Sequence, residues 1–371
     1  MMDDFLQFTD PPGPEKIVHI HLPDAGLKAI VVIDNLACGR AIGGVRMAPD
    51  VGLAECARLA RAMTLKNAAA GLAHGGGKAV ILGDPRMPIA RKEQVIRAFA
   101  GAIRDLADYI PGPDMGTDER CMAWVRDEIG RAVGLPAVLG GIPLDEIGAT
   151  GFGLVAAIEA ALPHCALSWA GLRVAVQGFG AVGRHAARFL AARGAVLVAA
   201  SDTTAMRHDP RGLDVAALTR HKLAGGTLAD YPAGGMAAPD AIIDVPCDIW
   251  IPAARPDVLR ADNVARLQAR LVAQGANIPA TPEAEAALHA RGVLVLPDFI
   301  ANAGGVICAA VEYRGGTEAT AFAAISEKIG RNTREVLEQV DRTHDLPRAA
   351  AAALARQRIS QASSYRRWRT S

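Results

Sequence analysis

The sequence predicts an α/β protein of two domains, one of them a doubly wound parallel sheet, followed by C-terminal helices. Three observations carry that expectation. At 371 residues the chain is long for a single domain, since domains average about 150 residues. Strand-like and helix-like segments alternate along most of its length, the rhythm of strand–helix–strand units. A glycine pattern, Gly178-Phe-Gly180-Ala181-Val182-Gly183, stands between an apolar strand and a helical stretch. Composition agrees, because 51% hydrophobic and 21% charged residues supply a sizeable core and exclude a disordered chain.

Ile17–Leu22 and Leu27–Ile33 are strand candidates rich in Val and Ile. Leu53–Ala70 has helical apolar spacing and leads to a glycine cluster, Gly75-Gly76-Gly77, which reads as a breaker before a short strand, Ala79–Leu82. A helix is expected over Lys92–Leu106. PGPDMGTDE (111–119) reads as a turn and then a helix start, with Thr117 or Asp118 as N-cap. A boundary falls within 136–150. Beyond it the pattern predicts a helix over 151–162, a strand over Leu172–Gln177 and a helix over 181–193. Further strands are expected at Val196–Ala200, Ile249–Ile251, Leu271–Ala273 and Val293–Leu296. The Ala/Arg-rich tail, 318–371, reads as helices. The expected domains are therefore 1–145, 146–305 and a helical segment over 306–371.

Forty basic residues against 39 acidic ones leave a net charge of +1, which argues against nucleic-acid or membrane-surface partners. The start, MMDDFLQFTDPPGPE, is acidic and broken by prolines, unlike a signal peptide. With no apolar run of membrane-spanning length, the expected location is the cytoplasm. Six scattered cysteines without a CxxC pair read as reduced, mostly buried thiols. No His/Cys cluster suggests a metal. His19, His21 and His74 read as sheet or loop histidines, and the terminal YRRWRT as a solvated helix end.

Two sites stand out. The glycine pattern follows the strand RVAVQ, opens a helix, and is followed 19 residues after Gly183 by Asp202 at the end of the next strand. Backbone at Gly178, Gly180, Ala181, Val182 and Gly183 can approach a pyrophosphate at the helix N-terminus, and the carboxylate can accept from ribose hydroxyls. Asp202 favours NAD over NADP, although Arg207 and His208 lie near enough to soften the preference. The second site is marked by lysine. Only seven of the 40 basic residues are lysines, and Lys66 and Lys78 sit in an apolar, glycine-rich setting. Lysine can give up its proton there, whereas arginine cannot.

Around these lysines the segment Gly43-Gly44-Val-Arg-Met47, Met63-Thr-Leu-Lys66-Asn67, Gly75-Gly-Gly-Lys78 and Pro113-Asp114-Met-Gly-Thr117 resembles the glutamate/leucine/phenylalanine/valine dehydrogenase family. Further matches are ATGFG (149–153), GFGAVG (178–183), QGAN (274–277) and PDFIANAGGV (297–306), so the resemblance runs from about residue 15 to 315. It implies an N-terminal substrate and oligomerisation domain and a Rossmann domain for NAD(P), with catalysis in the cleft between and the C-terminal segment across it. It also implies a homo-oligomer of unspecified size. Carried over by position, Lys66 would hold the substrate α-carboxylate, Lys78 would be the catalytic lysine and Asp114 the acid/base. Gly44 and Met63 would meet the substrate, Asn302 its amino group, Asn277 the nicotinamide end and Thr150 the cofactor side. The chemistry asks for such groups. Oxidative deamination leaves an iminium that water must attack, so one amine stays charged on the carboxylate while a second activates water. A neighbouring carboxylate can take the released proton.

The side-chain pocket points away from glutamate. Glutamate-specific members carry lysine where this chain has Ile42, and serine seven residues after the NAGG asparagine, where it has Ala309. A glutamate carboxylate against Ile42 and Ala309 would be buried without a partner. In the family the residue two before the aspartate is alanine in leucine-type enzymes and glycine in phenylalanine-type ones; here it is Gly112. The expected substrate is therefore a large apolar L-amino acid, phenylalanine first and leucine next, converted to its 2-oxo acid and ammonia. The text around PDFIANAGGV and TPEA (281–284) instead looks like the glutamate branch. A glutamate dehydrogenase and a catalytically silent NAD-binding regulatory protein stay open as alternatives.

Overall fold

The computed structural model describes residues 14–366; most of the acidic start and most of YRRWRT lie outside the described residues. The chain divides into two compact units. The first takes the chain up to Pro143, Val306–Ala321 and the residues from Leu354; the second takes Leu144–Gly305 and Phe322–Ala353. The stretch 306–371 is thus shared between the units and does not stand as one segment.

In the first unit the elements are β1 (Lys16–Leu22), β2 (Leu27–Asn35), β3 (Ala41–Ala48), α1 (Leu53–Ala69), β4 (Gly75–Leu82), α2 (Ile89–Ala102), β5 (Tyr109–Pro113) and α3 (Glu119–Ile129). They form a five-stranded sheet in the order β1-β2-β4-β3-β5. β2 runs antiparallel to β1 and β4, while β3 is parallel to β4 and β5. β3 and β5 were not expected from the sequence, and β4 starts before the expected Ala79–Leu82. The glycine cluster belongs to β4 and is no breaker, because its neighbours leave no room for a side chain. A Cβ on Gly76 would lie 2.1 Å from the Thr64 nitrogen of α1, and one on Gly75 would lie 1.8 Å from the Asn35 oxygen. Pro111 and Pro113, read as turn residues, lie in β5; that strand is at the sheet edge, where a missing N–H is tolerated. The helix after it is capped by Asp118, whose side chain accepts from the Cys121 nitrogen at 2.9 Å.

Alternation along the strands divides the first unit's sheet into two faces. Val31, Ile33, Val45, Met47, Ala79 and Ile81 pack against Phe99 of α2 and Val125 of α3 in the main core. On the other face Val32 and Val80 meet Cys56, Ala57 and Ala60 of α1. That helix covers β2 and β4. The neighbouring positions on β3 and β5 are in register, with Ile42 opposite Ile110 and Gly44 opposite Gly112.

The second unit holds α4 (Leu144–Ile147), α5 (Ala149–Ala161), β6 (Arg173–Gln177), α6 (Ala181–Ala191), β7 (Val196–Ser201), β8 (Met206–His208), α7 (Val215–Leu223) and β9 (Gly235–Ala237). It continues with β10 (Ile249–Pro252), β11 (Leu271–Ala273), α8 (Pro282–Ala290), β12 (Leu294–Leu296) and α9 (Asp298–Ala301). Its sheet runs β12-β11-β10-β6-β7-β8-β9. β12 through β7 are parallel, as the strand–helix rhythm predicts; β8 and β9 add a short antiparallel edge. The strand order reverses at β6, the strand that leads into the glycine pattern, which is where such sheets bind ligands. The tail forms α10 (Gly304–Tyr313), α11 (Glu318–Thr343) and α12 (Pro347–Ser364). Among the described residues no helix is long and apolar enough to cross a membrane, and no group of His, Cys, Asp or Glu is placed to hold a metal ion.

Candidate active site

The strand positions dictate the first cluster. Lys78 on β4, Gly44 on β3 and Asp114, just past β5, meet on one face of the sheet. The Lys78 Nζ lies 2.6 Å from Asp114 Oδ2, with the lysine side chain 7% and the aspartate 19% exposed. A Cβ on Gly44 would stand 2.7 Å from the Asp114 Cβ and 3.2 Å from the Lys78 Nζ, so only glycine fits beside the pair. Arg46, two residues along β3 on the same face, places its Nε 3.1 Å from the same Asp114 oxygen and pairs through Nη1 with Glu55 of α1. Burial pushes the Asp114 carboxyl upward, but Lys78 and Arg46 outweigh it and hold the group below the usual carboxylate range. Asp114 is therefore a carboxylate at neutral pH, in contact with two cations.

Beside this pair lies an apolar cluster of Ile42, Ile110, Val133 and Ala309, with Tyr313 packed against it. Val133 alters the expected shape. A Cβ on Gly112 would lie 3.1 Å from Val133 Cγ2, so the space freed by glycine is bordered closely by valine. Val133 comes from the loop after α3, held there by its nitrogen donating to the Pro111 oxygen at 2.9 Å, and nothing in the sequence marked it. Arg46 was legible in principle, since it follows Gly44 at strand spacing. Two positions before Ile42, Arg40 places Nη1 3.3 Å from the Tyr313 hydroxyl. Met63 and Lys66 both lie half-buried on α1, the helix packed across β4.

The second unit gathers Asn302, Asn277 and Thr150. Asn302 Nδ2 donates to Asn277 Oδ1 at 3.0 Å and to the Gly275 oxygen at 3.3 Å. Gly304 and Gly305, of the same NAGG motif, sit against Thr150; a Cβ on Gly305 would be 3.2 Å from Thr150 Oγ1. Asp298 Oδ2 accepts from the Ile278 nitrogen at 2.9 Å and so fixes the turn that follows Asn277.

The glycine pattern fits a dinucleotide pyrophosphate. Gly178 has φ +92° and close contact with Ala254, and a Cβ on Gly183 would strike the Gly178 oxygen at 2.1 Å. A Cβ on Gly180 would meet nothing within 4 Å. Gly180 is the N-cap of α6 and has no side chain to cap it, so the first backbone N–H groups of the helix are left to bind an anion or water. Asp202 differs from its expected state. Its two oxygens already accept from Thr204, Ala205, Lys222 and Leu228. Burial opposes its charge, yet those donors hold its carboxyl far below the usual range. Arg207 is buried and committed to carbonyl oxygens of Leu228, Ala229 and Gly234.

Residues 14–131 match the family model described as Glu/Leu/Phe/Val dehydrogenase, dimerisation domain, and residues 140–367 match that described as Glutamate/Leucine/Phenylalanine/Valine dehydrogenase. The chain belongs to this family. It is an amino acid dehydrogenase, an oxidoreductase acting on a CH–NH2 group. It is similar to a glutamate dehydrogenase of Aeropyrum pernix, at 36% identity over 357 residues covering 90% of this chain and 85% of the relative. An NAD-specific glutamate dehydrogenase of Staphylococcus aureus is 35% identical over 355 residues, with the same coverages of 90% and 85%. The Leu-bound hetero-hexameric glutamate dehydrogenase of Thermus thermophilus superposes with a TM-score of 0.84 at 30% identity, covering 96% of this chain and 91% of that one. The L-tryptophan dehydrogenase of Nostoc punctiforme gives 0.75 at 27% identity, covering 94% and 97%.

Proposed function

We propose that this family member deaminates an L-amino acid with a large apolar side chain, phenylalanine or leucine, to its 2-oxo acid and ammonia. The observation that carries this reading is that Ile42 and Ala309, the positions where glutamate-specific members carry lysine and serine, pack together with Ile110 and Val133 in one buried apolar cluster. A distal carboxylate there would lose its water without gaining a hydrogen bond, whereas each buried CH₂ gains about 0.8 kcal/mol. Val133 takes up part of the room expected beside Gly112, so leucine and phenylalanine are closer competitors than the sequence implied.

In this proposal Lys66 holds the α-carboxylate and Asn302 meets the amino group. NAD, or NADP, held at the glycine turn and near Asn277 and Thr150, supplies the hydride acceptor. Lys78 holds by hydrogen bonding the water that attacks the substrate iminium, and the ionised Asp114, 2.6 Å away, takes the proton from that water and returns it as nitrogen leaves. Arg46 keeps the carboxylate on the lysine.

A second reading, glutamate, is favoured by the names of the two relatives at 36% and 35% identity. Arg40, whose Nη1 lies 3.3 Å from the Tyr313 hydroxyl, is the basic group it would need. Measuring kcat/KM for phenylalanine, leucine, valine and glutamate with NAD⁺ separates the two. Apolar substrates should lead by more than tenfold, roughly the worth of one buried methylene to two. Glutamate in first place, lost in Arg40→Met, would overturn the apolar reading in favour of the second.

A further inference from the structure

We propose that Lys222, held against Asp202, makes the adenosine end of this dinucleotide site tolerant of a 2′-phosphate, so that NADP binds as well as NAD. The proposal rests on the dinucleotide reading above. An acidic residue after this strand ordinarily selects NAD in two ways: free oxygens accept from ribose hydroxyls, and the charge repels a phosphate. Asp202 is placed to do so, because the Gly178 and Phe179 nitrogens both donate to the oxygen of Ser201, at 2.9 and 2.8 Å. The glycine turn and the end of β7 are therefore neighbours.

Neither means is left to Asp202. Its Oδ1 accepts from the Thr204 nitrogen at 2.8 Å, the Thr204 hydroxyl at 2.6 Å and the Ala205 nitrogen at 3.2 Å. Its Oδ2 accepts from Lys222 Nζ at 2.6 Å and the Leu228 nitrogen at 3.0 Å. A carboxylate offers about four lone-pair sites, and these donors fill them. Its charge is balanced as well, since Lys222 turns an isolated negative group into a pair of no net charge. A 2′-phosphate approaching this rim meets a neutral pair with a cation in it.

Lys222 can also act as the donor. It lies in the last turn of α7 and its side chain is 20% exposed. An ammonium has three N–H donors, of which Asp202 takes one. Bridging Asp202 Oδ2 and a phosphate oxygen needs no rearrangement of the hairpin, because the Thr204, Ala205 and Leu228 donors keep the carboxylate in place. Of the other basic groups, Arg207 is engaged with three carbonyl oxygens, and His221 Nε2 with the Thr227 oxygen and Asp230.

Titration calorimetry with NAD⁺ and with NADP⁺, without amino acid, tests this on the full chain and on Lys222→Ala and Lys222→Arg. The native chain should bind the two within about tenfold of each other. Lys222→Ala should weaken NADP⁺ by about 10–100-fold, the range for a charge-assisted hydrogen bond, and NAD⁺ by less than about threefold. Lys222→Arg should keep NADP⁺. Added salt should weaken NADP⁺ more than NAD⁺ in the native chain, a readout that stands even where Lys222→Ala fails to fold. Equal loss of both nucleotides in Lys222→Ala would make the lysine a mere brace and overturn the proposal. So would a native preference for NAD⁺ above about 100-fold, the mark of an unmasked carboxylate. Binding of neither nucleotide to the native chain would overturn the dinucleotide reading itself, a different result seen before any variant is made.

Discussion

Lys78 and Asp114 form the contact on which the proposed chemistry turns, and each can be removed separately. Lys78→Ala should lower kcat by about 10²–10⁴-fold or more, the usual effect of losing a positioned acid or base. Nucleotide binding, measured by calorimetry, should survive, because the lysine belongs to the first unit; near-normal turnover would sink the mechanism. The pH behaviour follows from the depressed Asp114 carboxyl. A group depressed on folding stabilises above its unfolded value, about 3.9 for Asp, and loses that contribution as pH falls through its folded value. The Tm advantage of the native chain over Asp114→Asn should therefore be constant near neutrality and shrink on acidification below about pH 4. An advantage that grew on acidification would contradict the sign. Lys78 and Asp114 were legible because lysine is scarce here and the motifs are local. Val133 was not, because it reaches the site from a loop whose position depends on packing between β5 and α3.

The elements explain why the glycines mislead a sequence reading. Three glycines in a row look like a break, yet in β4 they allow α1 to lie on the strand; the Thr64 nitrogen would be 2.1 Å from a Gly76 Cβ. Gly76→Ala should force α1, with Lys66, away from β4, with Lys78. Overpacking of this kind costs about 1–3 kcal/mol. Chemical denaturation should show that loss together with a raised KM for the amino acid, and an unchanged KM would detach α1 from substrate binding. The C-terminal α12 supplies a second device hidden from local patterns. Its Arg348 places Nε 2.8 Å from Glu285 Oε2, Nη1 2.9 Å from Asp298 Oδ1 and Nη2 2.8 Å from Gln274 Oε1. Asp298 in turn holds the turn after Asn277. Arg348→Met strands two buried carboxylates, so about 3–5 kcal/mol of stability should go. Arg348→Lys should recover part of it, and a Tm indifferent to both would show the network to be idle. The partners lie 50, 63 and 74 residues before Arg348, separations at which no spacing rule operates.

At the scale of the whole molecule the open question is assembly. The two-unit architecture was legible, because strand–helix alternation and one glycine pattern suffice for it; the repeated return of the chain from one unit to the other after residue 305 was not, because an Ala/Arg-rich helix carries no mark of which core it serves. What the first unit leaves open is an edge. Among the described residues β1 pairs with β2 on one side only, and its Lys16, His19, His21 and Leu22 are exposed. Next to it a groove of about 440 Å³ is lined by His19, His21, Lys28 and Leu82. An unpaired edge of seven residues is a template for another strand, and most soluble oligomers satisfy such surfaces with a second copy about a two-fold axis. The model matched by this unit is described as a dimerisation domain. The chain is therefore expected to run in solution at a multiple of 38.7 kDa. In a self-complementary contact a new charge faces its own copy, or one close to it. His21→Glu should thus shift the light-scattering mass toward 38.7 kDa with the circular-dichroism spectrum retained. A native chain that already runs as a monomer, or a His21→Glu chain that keeps the native mass, would remove β1 from the interface.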